Sequence, residues 1–282
     1  MTARARRAPM YTPGRVFVML LPFLAVLAIG FALPLVKAVG DSLSAGDGFA
    51  ASYSALLDDP VFWDILLRTI RTAALISVIC VVIGYPTAEL IAGAPARVRP
   101  VLLALVIVPF WSSVVARTYG WFGVFVKDGV IDSVAGLFGG GPQRMLYSEL
   151  AVVVGMVHVL LPILVLPLYA AVRNYDERLS LASLSLGGGR MRTLFLVKLP
   201  VLAPSILAAT TGIFVIALGF FVTPALLGGP DSQLMSNLVS QQVLQRYDLP
   251  RAQAMSIVLL LAALAALALS AGAYNLLKRR LA

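Results

Sequence analysis

Leu179–Pro204 reads LSLASLSLGGGRMRTLFLVKLPVLAP. A leucine–serine segment meets three glycines, Gly187-Gly188-Gly189, and a basic segment with Arg190, Arg192 and Lys198 follows. Leu199-Pro200 then opens a run without Asp, Glu, Lys or Arg that lasts to Pro230. Glycine adopts the left-handed backbone that ends helices. The stretch therefore predicts two helical turns over Leu179–Leu186, a stop at Gly187, a short helix over Arg190–Lys198, and a new helix opened by Pro200. On a helical wheel Leu179, Ala182 and Leu186 share one face, and Leu181 and Leu184 lie on the other. Two opposed apolar faces suit an element held between its own bundle and a partner. A helix resting on lipid carries one apolar and one basic face, and Ser180, Ser183 and Ser185 supply no basic face.

Outward from this loop the chain is apolar. Of 282 residues 60% are hydrophobic and 12% charged, with a mean hydropathy of +0.93. A soluble domain of this size cannot bury so much apolar surface. Six runs are nearly free of charge: Val16–Val36, Thr72–Ala88, Val101–Ala116, Leu150–Val172, Leu199–Pro230 and Ala252–Leu277. About 20 apolar residues cross the hydrocarbon as a helix; the third run is short, but Arg99 and Arg117 can snorkel at its ends. The expected fold is an all-α membrane protein, one domain over 1–282. Its six transmembrane helices lie near 15–37, 69–93, 100–119, 149–173, 200–227 and 252–278, and a loop spans 174–199.

The net charge of +9 raises the possibility of a nucleic-acid partner, which its distribution removes. Segments 1–15, 94–99, 173–200 and 278–282 hold fourteen Lys/Arg and two acids, whereas 37–71, 117–149 and 231–251 hold eight Lys/Arg and ten acids. Basic segments stay inside, so the termini and the 174–199 loop are expected in the cytoplasm, in a multi-pass protein of the cell (inner) membrane surrounded by lipid. The N-terminal MTARARRAPMYTPGR resembles the start of a signal peptide, but its apolar run is too long and no clean A-x-A site follows; a retained first helix is expected. A lone cysteine, Cys80, excludes a disulfide framework and a Cys-based metal site.

On the exterior side Asp59-Pro60 predicts a capped helix start, with Trp63 at the bilayer interface. Trp121, Phe122, Phe125 and Phe138 suggest a short interfacial helix ended by Gly139-Gly140-Gly141-Pro142. In the last span Ala262, Ala266 and Ser270 recur every four residues, either as a close-packing face or as lipid-facing surface. The fifth run is too long for one plain span, and Gly212, Gly219 and Thr223-Pro224 mark a helix able to bend where it lines a cavity. Phe220, Phe221 and Thr223 are candidates for the narrowest point of a path, the rings closing it and the hydroxyl bonding a polar solute; aromatic packing between helices is the alternative.

No G-x4-G-K-[S/T] occurs, and Gly187-Gly188-Gly189-Arg190 lacks the Lys-Ser/Thr of a phosphate-binding loop. The chain carries no nucleotide site of its own and is not read as an enzyme. A secondary transporter would keep ionisable groups deep in the bundle, and only Glu89 and His158 lie within spans. His158 is a helix–helix hydrogen-bonding residue or a proton relay. Glu89 is a transient partner of a cationic solute on the path, or an interfacial carboxylate facing Arg97 or Arg99. The convergent acids, metal motif or Ser/His set of an intramembrane enzyme are missing.

The loop resembles the EAA loop, E-A-A-x3-G-x9-I-x-L-P, of permeases in binding-protein-dependent ABC importers of the type I (MetI-like) fold. In register, Ala182, Gly187, Leu199 and Pro200 match and Val197 replaces Ile; Leu181 stands at the Glu position and Ser183 at the second Ala. In that family the loop docks in a groove of the cytoplasmic ATPase. The resemblance therefore implies that Leu181, Ala182, Ser183, Leu186, Gly187, Arg190, Leu199 and Pro200 form the coupling element, with Glu177 or Arg190 standing in for the missing Glu. Val108–Trp121, Leu160–Tyr169 and Phe221–Pro230 are similar to the first permease subunit of spermidine/putrescine importers. The implied partners are two ATPase subunits holding ATP and Mg, a second homologous permease and a soluble solute-binding protein; this chain would bind no cofactor. Trp111, Arg117 and Tyr119 fall in the block expected on the exterior side, where Arg117 orients the loop, meets the binding protein or snorkels to phospholipid. Polyamine is the implied solute. An opine, an amino-acid-like compound, an organophosphonate or ferric iron is the alternative.

Overall fold

The computed structural model describes residues 13–44, 51–137 and 145–281, and these form helices without a strand. Phe138 and Gly139–Pro142 lie outside the described residues. In chain order the helices are α1 Phe17–Leu43, α2 Ala51–Leu57, α3 Pro60–Gly93, α4 Arg99–Trp111, α5 Val114–Phe125, α6 Val130–Leu137, α7 Glu149–Arg173 and α8 Glu177–Ser185. Then come α9 Arg190–Leu218, α10 Val222–Leu227, α11 Met235–Leu244 and α12 Leu249–Leu281. Helices α1, α3, α7, α9 and α12 are each long and apolar enough to cross a membrane.

The third expected span, 100–119, is not one straight helix. α4 and the Val114–Val134 segment are bent by 95° at Ser112-Ser113. Pro109 sits in the last turn of α4, Ser112 is extended, and its Oγ donates to the Pro109 carbonyl at 2.6 Å. Pro109 has no N–H to give the Leu105 carbonyl, and Ser112 closes the helix end onto the Pro109 carbonyl, a sufficient cause for the kink. The second expected span begins earlier than 69: Asp59 Oδ1 accepts from Val61 N at 2.9 Å and Pro60 takes the first turn, as the Asp59-Pro60 pair predicts.

α7 is the centre of the bundle: 61% of its apolar 18-residue window is buried, against none of that of α1. Its Met156, Leu160 and Leu164 pack with Ile76 and Cys80 of α3 and Ile213 and Leu218 of α9. Lipid is as apolar as these side chains, so close packing rather than water exclusion holds the helices. The crossing of α3 and α7 depends on Gly84, where an added Cβ would lie 2.4 Å from Leu164 Cδ2. Gly155 does the same against α10, where a Cβ would meet Leu227 and Thr223 at 2.7 Å. In α12 Ser270 accepts a hydrogen bond from Thr211 of α9 at 2.7 Å, so this position of the small-residue face packs on a helix. A second cluster, with Phe62, Met235 and Met255 at its middle, joins α3, α11 and α12.

Two π turns, Ala28–Ala32 and Leu194–Lys198, each close one residue before a proline, with Leu33 N donating to Ala28 O and Leu199 N to Leu194 O. A proline ring collides with the carbonyl four residues back; one extra residue in the turn widens the helix there. α1 and α9 thereby run through Pro34 and Pro200. Pro200 does not open a separate helix: Arg190–Leu218 is one span-length helix.

Candidate coupling element and solute groove

Asp176 caps α8, its Oδ1 accepting from Arg178 N at 3.0 Å, and Glu177 adds a negative charge to the first turn, where it favours the helix dipole. The helix ends as the three glycines demand. Gly187 has φ +84, Gly187 N donates to Leu184 O and Gly188 N to Ser183 O, both at 3.0 Å. This is the paired-bond stop built around a left-handed residue. Gly188 is also required, because a Cβ there would sit 2.7 Å from Ser183 O.

The faces of α8 differ from the helical-wheel expectation. The helix meets its own chain through hydroxyls: Ser180 bonds the Tyr175 hydroxyl at 3.0 Å and Ser183 bonds Thr193 at 2.9 Å. Its leucines all remain exposed, Leu181 at 60%, as does Leu186 at its C-cap, at 89%. Ser183 therefore has a reason of its own to replace alanine, since it ties α8 to the start of α9. Ala182, Glu177 and Arg190 are exposed as well.

Glu89 does not face Arg97 or Arg99. Arg99 folds back to donate to the carbonyls of Ala92 and Ala94 at the end of α3, while Lys198 reaches Glu89 Oε2 at 2.7 Å. The other carboxylate oxygen accepts from the Tyr85 hydroxyl at 2.7 Å. Lys198 lies 109 residues away in the chain, and no local pattern announces it.

At the other end of α9 the helix stops at Gly219 and restarts as α10. Pro224 has no N–H for the Phe220 carbonyl; Ser236 of α11 donates to it instead at 2.6 Å, and Asn237 Nδ2 donates to Phe221 O at 3.3 Å. Two adjoining cavities, about 470 and 620 Å³, share Phe221 and Ser240 in their walls. The larger is lined by Gln233, Asn237, Gln241 and Gln245 together with Tyr147 and Pro224, with no charged side chain. Asn237 and Gln241 sit one turn apart on α11, with Gln233 before its start and Gln245 capping its end, a four-residue spacing visible in the sequence. Phe221 is thus at a cavity wall and Phe220 packs against the core. Thr223 is elsewhere: fully buried, its hydroxyl 3.2 Å from that of Thr118, it opens onto neither cavity. After the break α10 packs against α5.

Trp111 ends α4 and is 84% exposed. Arg117 and Tyr119 ride on α5, beyond the kink. Arg117 does not snorkel freely, since its Nε and Nη1 are buried and meet no hydrogen-bond acceptor among the described residues. His158 accepts from Trp121 Nε1 at 3.1 Å, the helix–helix hydrogen bond expected of it.

Span-length apolar helices around α7, with a glycine-stopped helix outside them, form a membrane bundle. The chain belongs to the family described as binding-protein-dependent transport system inner membrane component, which it matches over residues 81–282. It is a multi-pass inner-membrane permease. It is 34% identical over 219 residues to the spermidine/putrescine transport system permease protein PotB of Escherichia coli K12, covering 74% of this chain and 76% of that protein. With the protein of the same description from Haemophilus influenzae it shares 32% over 244 residues, 86% of this chain and 84% of that one. Its fold matches a chain of a bacterial alginate ABC transporter, solved in complex with an alginate pentasaccharide-bound periplasmic protein, with a TM-score of 0.79 at 17% identity over 95% of each chain.

Proposed function

We propose that this chain is the permease subunit of an ATP-driven importer that receives a polyamine, spermidine or putrescine, from a soluble binding protein and passes it to the cytoplasm. The observation that carries the reading is the 34% identity to spermidine/putrescine permeases over 74% of the chain. In this reading α8 and the first turns of α9 are cytoplasmic, as are both termini. One of two ATPase subunits, with ATP and Mg, docks on the exposed leucines of α8, and a second related permease completes the path. Leu181 gives that contact an apolar character, with Glu177 and Arg190 at its edge. Trp111, Arg117 and Tyr119 face the exterior side.

The solute passes the groove beside Phe221. An alkylammonium group there meets amide oxygens and the faces of Phe221 and Tyr147 rather than a carboxylate. Aromatic rings hold a cation by about 0.5–1 kcal/mol when exposed, weak enough for release, so selectivity falls to the binding protein. The test is reconstitution of the chain with its ATPase, second permease and binding protein in liposomes, followed by uptake of radiolabelled spermidine with and without ATP. ATP-dependent uptake, together with no ATPase activity in the purified single chain, is the expected result. Uptake of an organophosphonate, an opine or ferric iron in place of spermidine overturns the substrate, and ATP turnover by the chain alone overturns the class.

A further inference from the structure

The pair Glu89–Lys198 stands where three elements meet. Lys198 is the last residue of the π turn in α9, Glu89 lies one turn from the end of α3, and Tyr175 is in the hinge between α7 and α8. Lys198 Nζ is 2.7 Å from Glu89 Oε2 and 5.3 Å from the centre of the Tyr175 ring, whose hydroxyl bonds Ser180 of α8. Tyr85 donates to the second oxygen of Glu89. The two charged side chains are 15% and 25% exposed. Beneath them Val172, Tyr175 and Leu202 form a small buried cluster that also touches Tyr85.

We infer that this pair is a positioning strut for transport: it makes α3 travel with the coupling element. α8 is joined covalently to α9, so a displacement of α8 reaches α9 directly. It reaches α3 through contacts, and Lys198–Glu89 is the charged one at this junction. Both carboxylate oxygens are bonded, and the ammonium is held between a carboxylate and a ring. Parting them leaves two largely buried charges with no opposite charge beside them, Glu89 keeping only the Tyr85 hydroxyl and Lys198 only the Tyr175 ring, so the strut resists opening. α3 is packed against α7 at Gly84, and a pull on Glu89 is therefore passed into the centre of the bundle rather than absorbed locally.

The inference rests on the reading of α8 as the ATPase-facing element, and the experiment separates the two. In the complete reconstituted transporter, Glu89→Gln and Lys198→Met each lower solute uptake per ATP hydrolysed by about fivefold or more, the lower end of ordinary coupling strengths. The exchanged pair Glu89→Lys/Lys198→Glu restores most of it. Tyr85→Phe keeps both charges and removes one bond from the carboxylate; it lowers the ratio by a smaller factor and serves where the charge variants do not assemble. If the ATPase fails to co-purify with the wild-type chain, the reading of α8 fails and the strut with it. If the complex forms and the variants keep the wild-type ratio, or only assemble less well at an unchanged ratio, the strut alone is overturned. A double exchange no better than either single change overturns it too.

Discussion

The helix that begins at Arg190 departs from α geometry twice, and the two departures do opposite things. At Leu194–Lys198 it widens by one residue and runs on through Pro200. At Gly219–Phe221 it stops, and Pro224 leaves the Phe220 carbonyl to a side chain of another helix. A π turn keeps a rod continuous and so carries a displacement along its axis. A break exposes backbone groups that neighbours must satisfy, and in a membrane protein such places survive where they are buried or line a cavity. One proline thus preserves a lever and the other makes a wall of a groove.

The largest effect should come from removing the extra residue of the lever. Deletion of Phe195 removes the extra residue that makes room for Pro200, so the turn before it meets the proline ring, and everything before the deletion rotates by about 100° with a shift of about 1.5 Å, while Lys198 and Glu89 stay in register. Uptake in the reconstituted transporter is expected to fall to background. Retention of more than about a tenth of wild-type uptake would mean that the wide turn is a passive accommodation of Pro200 rather than part of a rod.

Gly187→Val comes next. A β-branched residue is a genuine outlier at φ +84, and the strain, on the order of 1–3 kcal/mol, falls on the stop that sets the angle between α8 and α9. The variant should assemble and hydrolyse ATP, yet move solute about tenfold less per ATP. Normal uptake at normal expression would show that the angle is fixed by the Ser183–Thr193 bond instead.

Much of this contrast was legible in the sequence. Charge-free runs marked the candidate spans, among them the stretch that forms α7, because apolar length is a local property. Gly187 was legible because a left-handed stop needs glycine wherever it occurs. The kink at Ser112-Ser113 escaped, since one proline and two serines occur in many straight helices and only tertiary packing decides. The partner of Glu89 escaped for another reason: Lys198 comes near it through the folding of α9 against α3, and nearby Arg97 and Arg99 offered a simpler reading, although Arg99 is turned to backbone carbonyls. Thr223 was misplaced because the period of a helix says nothing about which way a restarted one turns.

At the break the effects should be smaller and should separate neighbours. Phe221→Ala removes a cavity wall, and the expected result is a several-fold rise in KM for uptake through loss of one ring from the groove, worth about 1 kcal/mol. In a background with the buried Cys80 replaced by serine, Phe221→Cys should react with a water-soluble thiol reagent and Thr223→Cys should not. Labelling at 223 would place the path between α5 and α10 rather than along α11.

The smallest effect belongs to Thr223→Val, a change of shape-matched side chain that keeps the packing against Gly155. Thr118 donates its own hydroxyl hydrogen to Val114 O at 2.8 Å, so the Thr118–Thr223 contact needs Thr223 as its donor. Removing that donor leaves Thr118 with its carbonyl partner intact and loses one neutral hydrogen bond, worth about 0.5–1.5 kcal/mol. Uptake is expected to stay within about twofold of wild type, while thermal unfolding in detergent moves slightly downward. The reverse pattern, lost uptake at unchanged stability, would make the hydroxyl a contact of the moving solute. The break would then have two working sides rather than one wall on α11 and one anchor on α5.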